Sequence, residues 1–156
     1  MLEYSLLLFF RKIKNMTEIT KEIIVKAPPE KIFNVFIKSE NRLKIWSSLM
    51  EIKNEKQLPN GGYRADWVYK IAGVYFGGTS ECIDIDPDKK FSIKFEGAIH
   101  CLLKCTFTTE DNVFTKVSIN LHYQDYLRLL NRFSENRNER EAENVLANLR
   151  ELVEKS

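Results

Sequence analysis

The sequence predicts an α+β domain in which seven antiparallel strands form a strongly curved sheet, two short helices sit between the first two strands, and one long helix closes the chain. Three observations lead there. One strand-like alternation precedes a proline pair and a helical stretch, six further strand-like runs follow with only short turns between them, and the tail returns to helical periodicity. Strands joined by short connections pair antiparallel, and a curved sheet lets an amphipathic helix lie across its concave face. A gap between such a sheet and its helix suits an apolar ligand.

From Ile19 to Ala27, the residues Ile19, Lys21, Ile23 and Val25 alternate with Thr20, Glu22, Ile24 and Lys26, the period-two pattern of a half-buried strand. Pro28 pushes Ala27 into extended geometry, and Pro29 suits a first helical turn, where its missing N–H would have no intrahelical partner. Glu30 sets a carboxylate near the positive end of that helix. Ile32, Phe33, Val35, Phe36 and Ile37 share one broad face opposite Lys31, Asn34 and Lys38. Ser39 is expected to cap a second helix from Glu40 to about Trp46, on which Leu43 and Trp46 stand three apart.

Turn chemistry then recurs at Pro59-Asn60-Gly61-Gly62, Ala72-Gly73, Asp86-Pro87-Asp88, Gly97 and Glu110-Asp111-Asn112. The intervening strands are expected near 48–57, 63–71, 74–84, 90–96, 100–109 and 113–122. Alternation is clearest in Tyr63, Ala65, Trp67 and Tyr69 against Arg64, Asp66, Val68 and Lys70, and in Phe91, Ile93 and Phe95 against Ser92, Lys94 and Glu96. In the tail, Ala142, Val145, Leu146, Leu149 and Val153 recur at helical spacing, which predicts a helix near 138–154. Arg140, Glu141, Glu143, Asn144, Arg150, Glu151 and Glu154 are read as its solvated face. Leu127, Leu130 and Phe133 are candidates to begin this helix ahead of the polar stretch "SENRNERE", for which a loop or a fully exposed turn is the other reading.

The chain of 156 residues carries 24 basic and 22 acidic side chains, dispersed along its length. That balance offers no phosphate-neutralising patch, so nucleic acid is not an expected partner. Cys82, Cys101 and Cys105 are odd in number and lie in apolar or alternating runs, which fits reduced thiols and a cytoplasmic setting. Cys101 and Cys105 on one strand would stand about 13 Å apart, too far to share a metal ion, and no cofactor is expected.

Residues 1–15 place the apolar run Leu6 to Phe10 ahead of Arg11, Lys12 and Lys14, the reverse of a secretory signal and too short to span a bilayer. They are read as an extension, of the kind an upstream start codon produces, before a single domain at 16–156. A short amphipathic helix that rests on a membrane or caps the fold is the alternative.

No nucleophile elbow or catalytic triad spacing is present, so no catalytic residue is assigned. His122 falls in phase with Lys116, Ser118 and Asn120 and is expected on the solvent side. His100, at a strand start, takes either a structural role or a polar contact with a ligand. The three glycines of "AGVYFGGTS" lack the order of a phosphate loop; Gly73 reads as a hairpin turn, and Gly77-Gly78 as a place where a bent strand or close neighbour tolerates no bulk. Asp66, Glu81, Asp84 and Asp86 are expected to face water. Among Trp46, Tyr63, Trp67, Tyr69, Phe76, Phe95 and Phe107, core packing and a cavity wall are equally good readings for each residue. Trp67, Tyr69, Phe76 and Phe95, with Leu146 and Leu149 from the last helix, are the wall candidates, and His100 the polar one.

The stretch "IIVKAPPEKIFNVFIKSENRLKIW" resembles the opening of the START-like, or Bet v 1-like, superfamily. "GGYRADWVYKIAGVYFGG", "IDIDPDKKFSI", "NVFTKVSINLHY" and "LANLRELVEK" resemble later segments of its polyketide cyclase/dehydrase and ubiquinone-binding (Coq10-like) branches. The resemblance spans Glu18 to Lys155 and implies a helix-grip fold with a cavity for a small hydrophobic or lipid-like molecule. A non-catalytic binding or transport protein is the leading expectation. A cyclase/dehydratase, with Tyr69 or His100 moving a proton, and a protein- or membrane-interaction module are the alternatives. The sequence carries no signal that sets the oligomeric state.

Overall fold

The computed structural model describes residues 16–71, 73–124 and 131–156. Residues 1–15, for which an extension or a short helix was expected, lie outside the described part, as do Leu127 and Leu130. Strand β1 (Met16–Val25) leads into helices α1 (Pro29–Ile37) and α2 (Ser39–Ile45). Strands β2 (Leu49–Gln57), β3 (Tyr63–Ile71), β4 (Val74–Asp86), β5 (Lys90–Gly97), β6 (Cys101–Thr109) and β7 (Thr115–Gln124) follow, then helix α3 (Asn131–Glu154). All seven strands form one antiparallel sheet in the order β1-β7-β6-β5-β4-β3-β2. The meander from β2 to β7 brings β7 beside β1, and irregular pairing in β2 and near the end of β4 accompanies the sheet's curvature.

Alternation decides which side chains face inward. On the concave face, Tyr63, Trp67, Phe91, Ile93, Leu103, Cys105, Val117 and Ile119 join Val145, Leu146, Leu149 and Val153 of α3 in one buried cluster. The helix is held along its length by Lys21 Nζ to Glu143 at 3.1 Å, by Asn148 donating to the Ile45 carbonyl, and by Glu154 accepting from the Lys26 N–H. Pro28 and Pro29 end β1 and open α1 within two residues, and Ile32, Phe33, Val35 and Phe36 bury the face that the sequence predicts.

Three local expectations are corrected. Helix α3 begins at Asn131, so the segment "SENRNERE" is helical; Glu and Arg are good helix formers, and an anchored helix extends readily through them. Ser39 is the first residue of α2 rather than its cap, with Lys38 at the cap position and no side-chain cap bond. On α2 it is Arg42 and Ile45 that are buried, while Leu43 is exposed.

Candidate functional site

Strand β3 builds the site. Its period-two pattern turns Tyr63, Ala65, Trp67 and Tyr69 inward, and all four are buried. Trp67 pairs in register with Gly78 of β4, and a Cβ built on Gly78 would collide first with the Glu96 carbonyl oxygen of β5 and then lie 2.5 Å from Trp67 Cζ2. The glycine is therefore the seat of the indole, which explains the Gly77-Gly78 pair more narrowly than strand bending alone. Trp67 packs edge-on against Tyr69, with ring centroids 5.1 Å apart, and against Phe95 at 6.4 Å.

These three rings, with Trp46, Leu49 and Tyr63, surround a cavity of about 20 Å³ to which Arg42 and Ser80 add polar atoms. That is room for about one water molecule. The Trp67 indole N–H is buried and finds no hydrogen-bond partner among the described residues. A buried donor left unpaired costs on the order of 1–3 kcal/mol, so an orphan beside a cavity marks where an acceptor would be welcome.

Arg42 closes one side. Only 3% of it is exposed. Its guanidinium donates to the carbonyls of Phe36 and Ile37 at 2.9 and 2.7 Å, bonds Glu55 Oε1 at 2.7 Å, and lies 3.5 Å from the centroid of the Tyr63 ring. It satisfies carbonyls at the end of α1 and places a fixed positive charge on the cavity wall.

Glu141 of α3 does not line the cavity, but its charge acts on Tyr69 and Cys101. One carboxylate oxygen accepts from Ser48 Oγ at 3.2 Å, while Oε1 is shielded from solvent and has no partner among the described residues. Burial pushes its carboxyl above the ordinary value, opposed by the Ser48 hydrogen bond and the charge of Arg137. Burial likewise pushes the Tyr69 hydroxyl well up, with the Glu141 charge the next cause. Glu141 was expected on the solvated face and is corrected here. It lies four residues before Val145 and eight before Leu149, on their stripe, and that spacing was the available signal.

Of the residues expected to line a site, Trp67, Tyr69 and Phe95 come together around the cavity. Phe76 pairs with Tyr69 across the β3–β4 hairpin, partly buried and outside the lining. Leu146 and Leu149 are buried in the main core, away from the cavity wall. His100 is half-buried in the β5–β6 connection and does not line the cavity either. Arg42 and Glu141 were not singled out as site residues.

His122, expected on the solvent side, is instead largely covered, its side chain 16% exposed, 3.7 Å from Glu18, and burial lowers its pKa against the opposing pull of that carboxylate. All three cysteines are free and buried; burial pushes the thiols of Cys82 and Cys101 up to about 12. Among the described residues, no three His, Cys, Asp or Glu side chains gather as a metal site would require, and no helix is long and apolar enough to cross a membrane.

The sequence of residues 16–154 matches the family described as polyketide cyclase/dehydrase and lipid transport. The chain belongs to this family. This member of the polyketide cyclase/dehydrase and lipid transport family matches no curated protein. Among solved structures it is similar to the Zhui aromatase/cyclase from Streptomyces sp. R1128, with a TM-score of 0.77 and 14% identity over 90% of this chain and 95% of that one. It is also similar to a START superfamily protein from Mycobacterium smegmatis, with a TM-score of 0.75 and 12% identity over 88% and 97%. A protein from Thermus thermophilus gives a TM-score of 0.67 and 20% identity over 88% and 97%. At these identities the likeness is one of fold, and it places the family member in the helix-grip class. The fold and family are, in general, those of ligand-binding proteins.

Proposed function

We propose that the protein binds a small hydrophobic or lipid-like molecule between the concave sheet and α3, for transport or sequestration. The observation that supports this most directly is the aromatic-walled cavity of Trp67, Tyr69 and Phe95 with an unpaired indole N–H at its wall. Plain core packing would not be expected to leave a large aromatic residue's donor unsatisfied beside open space. In the closed arrangement only about 20 Å³ is open, so a ligand enters by displacing the surrounding side chains. Affinity then comes from apolar area buried at roughly 25 cal/mol per Å², less the reorganisation and ordering needed to admit the ligand. The buried free thiols fit a reducing, cytoplasmic setting.

Native mass spectrometry of gently purified protein tests the reading. The expected result is a co-purifying small molecule released on denaturation, and weaker retention by Trp67→Ala. No adduct, either as purified or after incubation with palmitate and with naphthol, would overturn it.

A second reading, an enzyme of the cyclase/dehydratase kind, is favoured by one observation: a buried titratable group, Glu141, acts by its charge on Tyr69. A carboxyl whose proton is held above the ordinary value by burial is suited to proton transfer. The fate of a bound hydroxyketone separates the two. Recovery unchanged supports binding alone, and recovery short of one water supports the enzyme.

A further inference from the structure

An antiparallel sheet with one face on the core ordinarily turns the other to water, and much of the convex face here does so: Thr106 and Thr108 of β6 and Glu22 and Ile24 of β1 are exposed. One band of that face does not. Leu102 is 0% exposed and Ile83 6%, although they alternate with the inward-facing Leu103 and Cys82 and so point away from α3. Neither belongs to the main buried cluster or to the smaller one around Ile19, Cys101 and Tyr123. Strand pairing makes the band continuous. Leu102 stands between Lys94 and His122 in one row, and Ile83, Ser92, Lys104 and Asn120 follow one another from β4 to β7 in the next. Ser92 is buried, and the side chains of Lys94 and His122 are largely covered. Asn120 Oδ1 is shielded from solvent and has no hydrogen-bond partner among the described residues.

The helices do not supply this cover, since α1, α2 and α3 all contribute to the concave cluster. Residues 125–130 join β7 to α3 on that same concave side. Six residues span at most about 20 Å, too little to pass round the sheet to Ile83, three strands or about 14 Å from β7, and return. Residues 1–15 have the reach. They enter β1 at Met16, which pairs with Gln124 one row beyond Glu18 and His122. Counted back at the rise of a helix, Leu6 to Phe10 fall about 9–15 Å from Met16, and β6 and β5 lie about 10 and 14 Å from β1. Arg11, Lys12 and Lys14 fall about 3–8 Å back, nearer β7, where Asn120 holds its unused acceptor.

We propose that residues 1–15 are the cover: the run Leu6 to Phe10 packs on Leu102 and Ile83 across the convex face, and a basic side chain of residues 11–14 donates to Asn120 Oδ1. Segment and face hide each other's apolar side chains, so the segment is a layer of the fold. This inference is independent of the ligand reading.

The test is lysine acetylation of the full chain in native buffer, read by mass spectrometry, in the unsubstituted protein and in the double variant Leu7→Asp/Phe9→Asp, which sets a charge on either side of the apolar run. Lys94 and Lys104 are expected to react several-fold faster in the variant, while Lys90 and Lys116, already accessible, keep their rates. Equal rates at Lys94 and Lys104 in the two proteins overturn the inference. If the unsubstituted protein then sediments with phosphatidylglycerol vesicles and the variant does not, the segment is a membrane contact instead. Should the variant fail to fold, a short amine-reactive cross-linker on the unsubstituted monomer decides the matter. Links from Lys12 or Lys14 to Lys94 or Lys104 are expected; their absence, or links confined to Lys31, Lys44 and Lys155 on the helix side, overturns the inference.

Discussion

At the scale of single residues, two charges carry more than their number suggests. Arg42, itself buried, joins the end of α1, half-buried Glu55 of β2 and the Tyr63 ring, and each of those partners would lose a contact without it. Removing one partner of a buried ion pair typically costs about 3–5 kcal/mol, so Arg42→Ala should lose stability in that range in a urea titration. Arg42→Lys should recover little, because one ammonium cannot span two carbonyls, a carboxylate and a ring face. Glu141 makes a prediction in pH. Its folded-state pKa lies above the ordinary carboxylate value, so the folded state holds the proton more tightly than the unfolded chain does. That contribution favours the folded state at low pH and is lost as pH rises from the ordinary value through the raised one. Glu141→Gln removes the group, so the variant's stability relative to the unsubstituted protein should climb in paired urea titrations as pH rises from the ordinary carboxylate value through the raised one. A flat difference would mean that Arg137 and Ser48 compensate the burial completely. Neither residue was legible as a site from sequence, and for the same reason. A charged residue defaults to water in any pattern argument, and only its phase with Ile45 in one case, and with Val145 and Leu149 in the other, hinted otherwise.

Elements read more faithfully than residues. Period-two runs found the strands of the meander, and the paired prolines located the start of α1, because both signals are local consequences of backbone geometry. The sequence leaves the start of α3 open between residues 127–133 and about 138, because "SENRNERE" has no apolar stripe, the feature on which a helix assignment rests; the helix already runs from Asn131. Strand pairing also explains what spacing alone could not. Gly77 and Gly78 looked like a place for close approach, and the registers of β4 with β5 and β3 name the Glu96 carbonyl and the Trp67 ring as the groups that approach Gly78. Gly78→Ala should therefore push the indole out of its seat. The expected outcome is a loss of roughly 1–3 kcal/mol by overpacking, accompanied by a shift in tryptophan emission, whereas Gly77→Ala, with no side chain within reach, should leave the emission unchanged. Leu149→Ala on α3, at a fully buried core position, should lose about 2–5 kcal/mol in a urea titration.

At the scale of the whole molecule, the closed cavity and the proposed ligand are linked by one equilibrium. The space of about 20 Å³ is far below the several hundred that a drug-sized ligand occupies, so under the binding reading the grip must open to admit one. A ligand that binds the folded chain and not the unfolded one adds stability by mass action, about 2.7 kcal/mol at a free concentration one hundred times its dissociation constant. For a chain of this size that corresponds to a rise in Tm of roughly 5–10 °C. Part of the gain should be specific to the grip: amide hydrogen exchange in β3 should slow on ligand addition more than exchange in β1 and β7, which lie at the far edge of the sheet. If protection instead rises uniformly, the molecule is stabilised only by the global term. If the Tm does not move with saturating naphthol, the aromatic layer of Trp67, Tyr69 and Phe95 is closed core, and its unpaired indole N–H is a local strain that the surrounding fold absorbs.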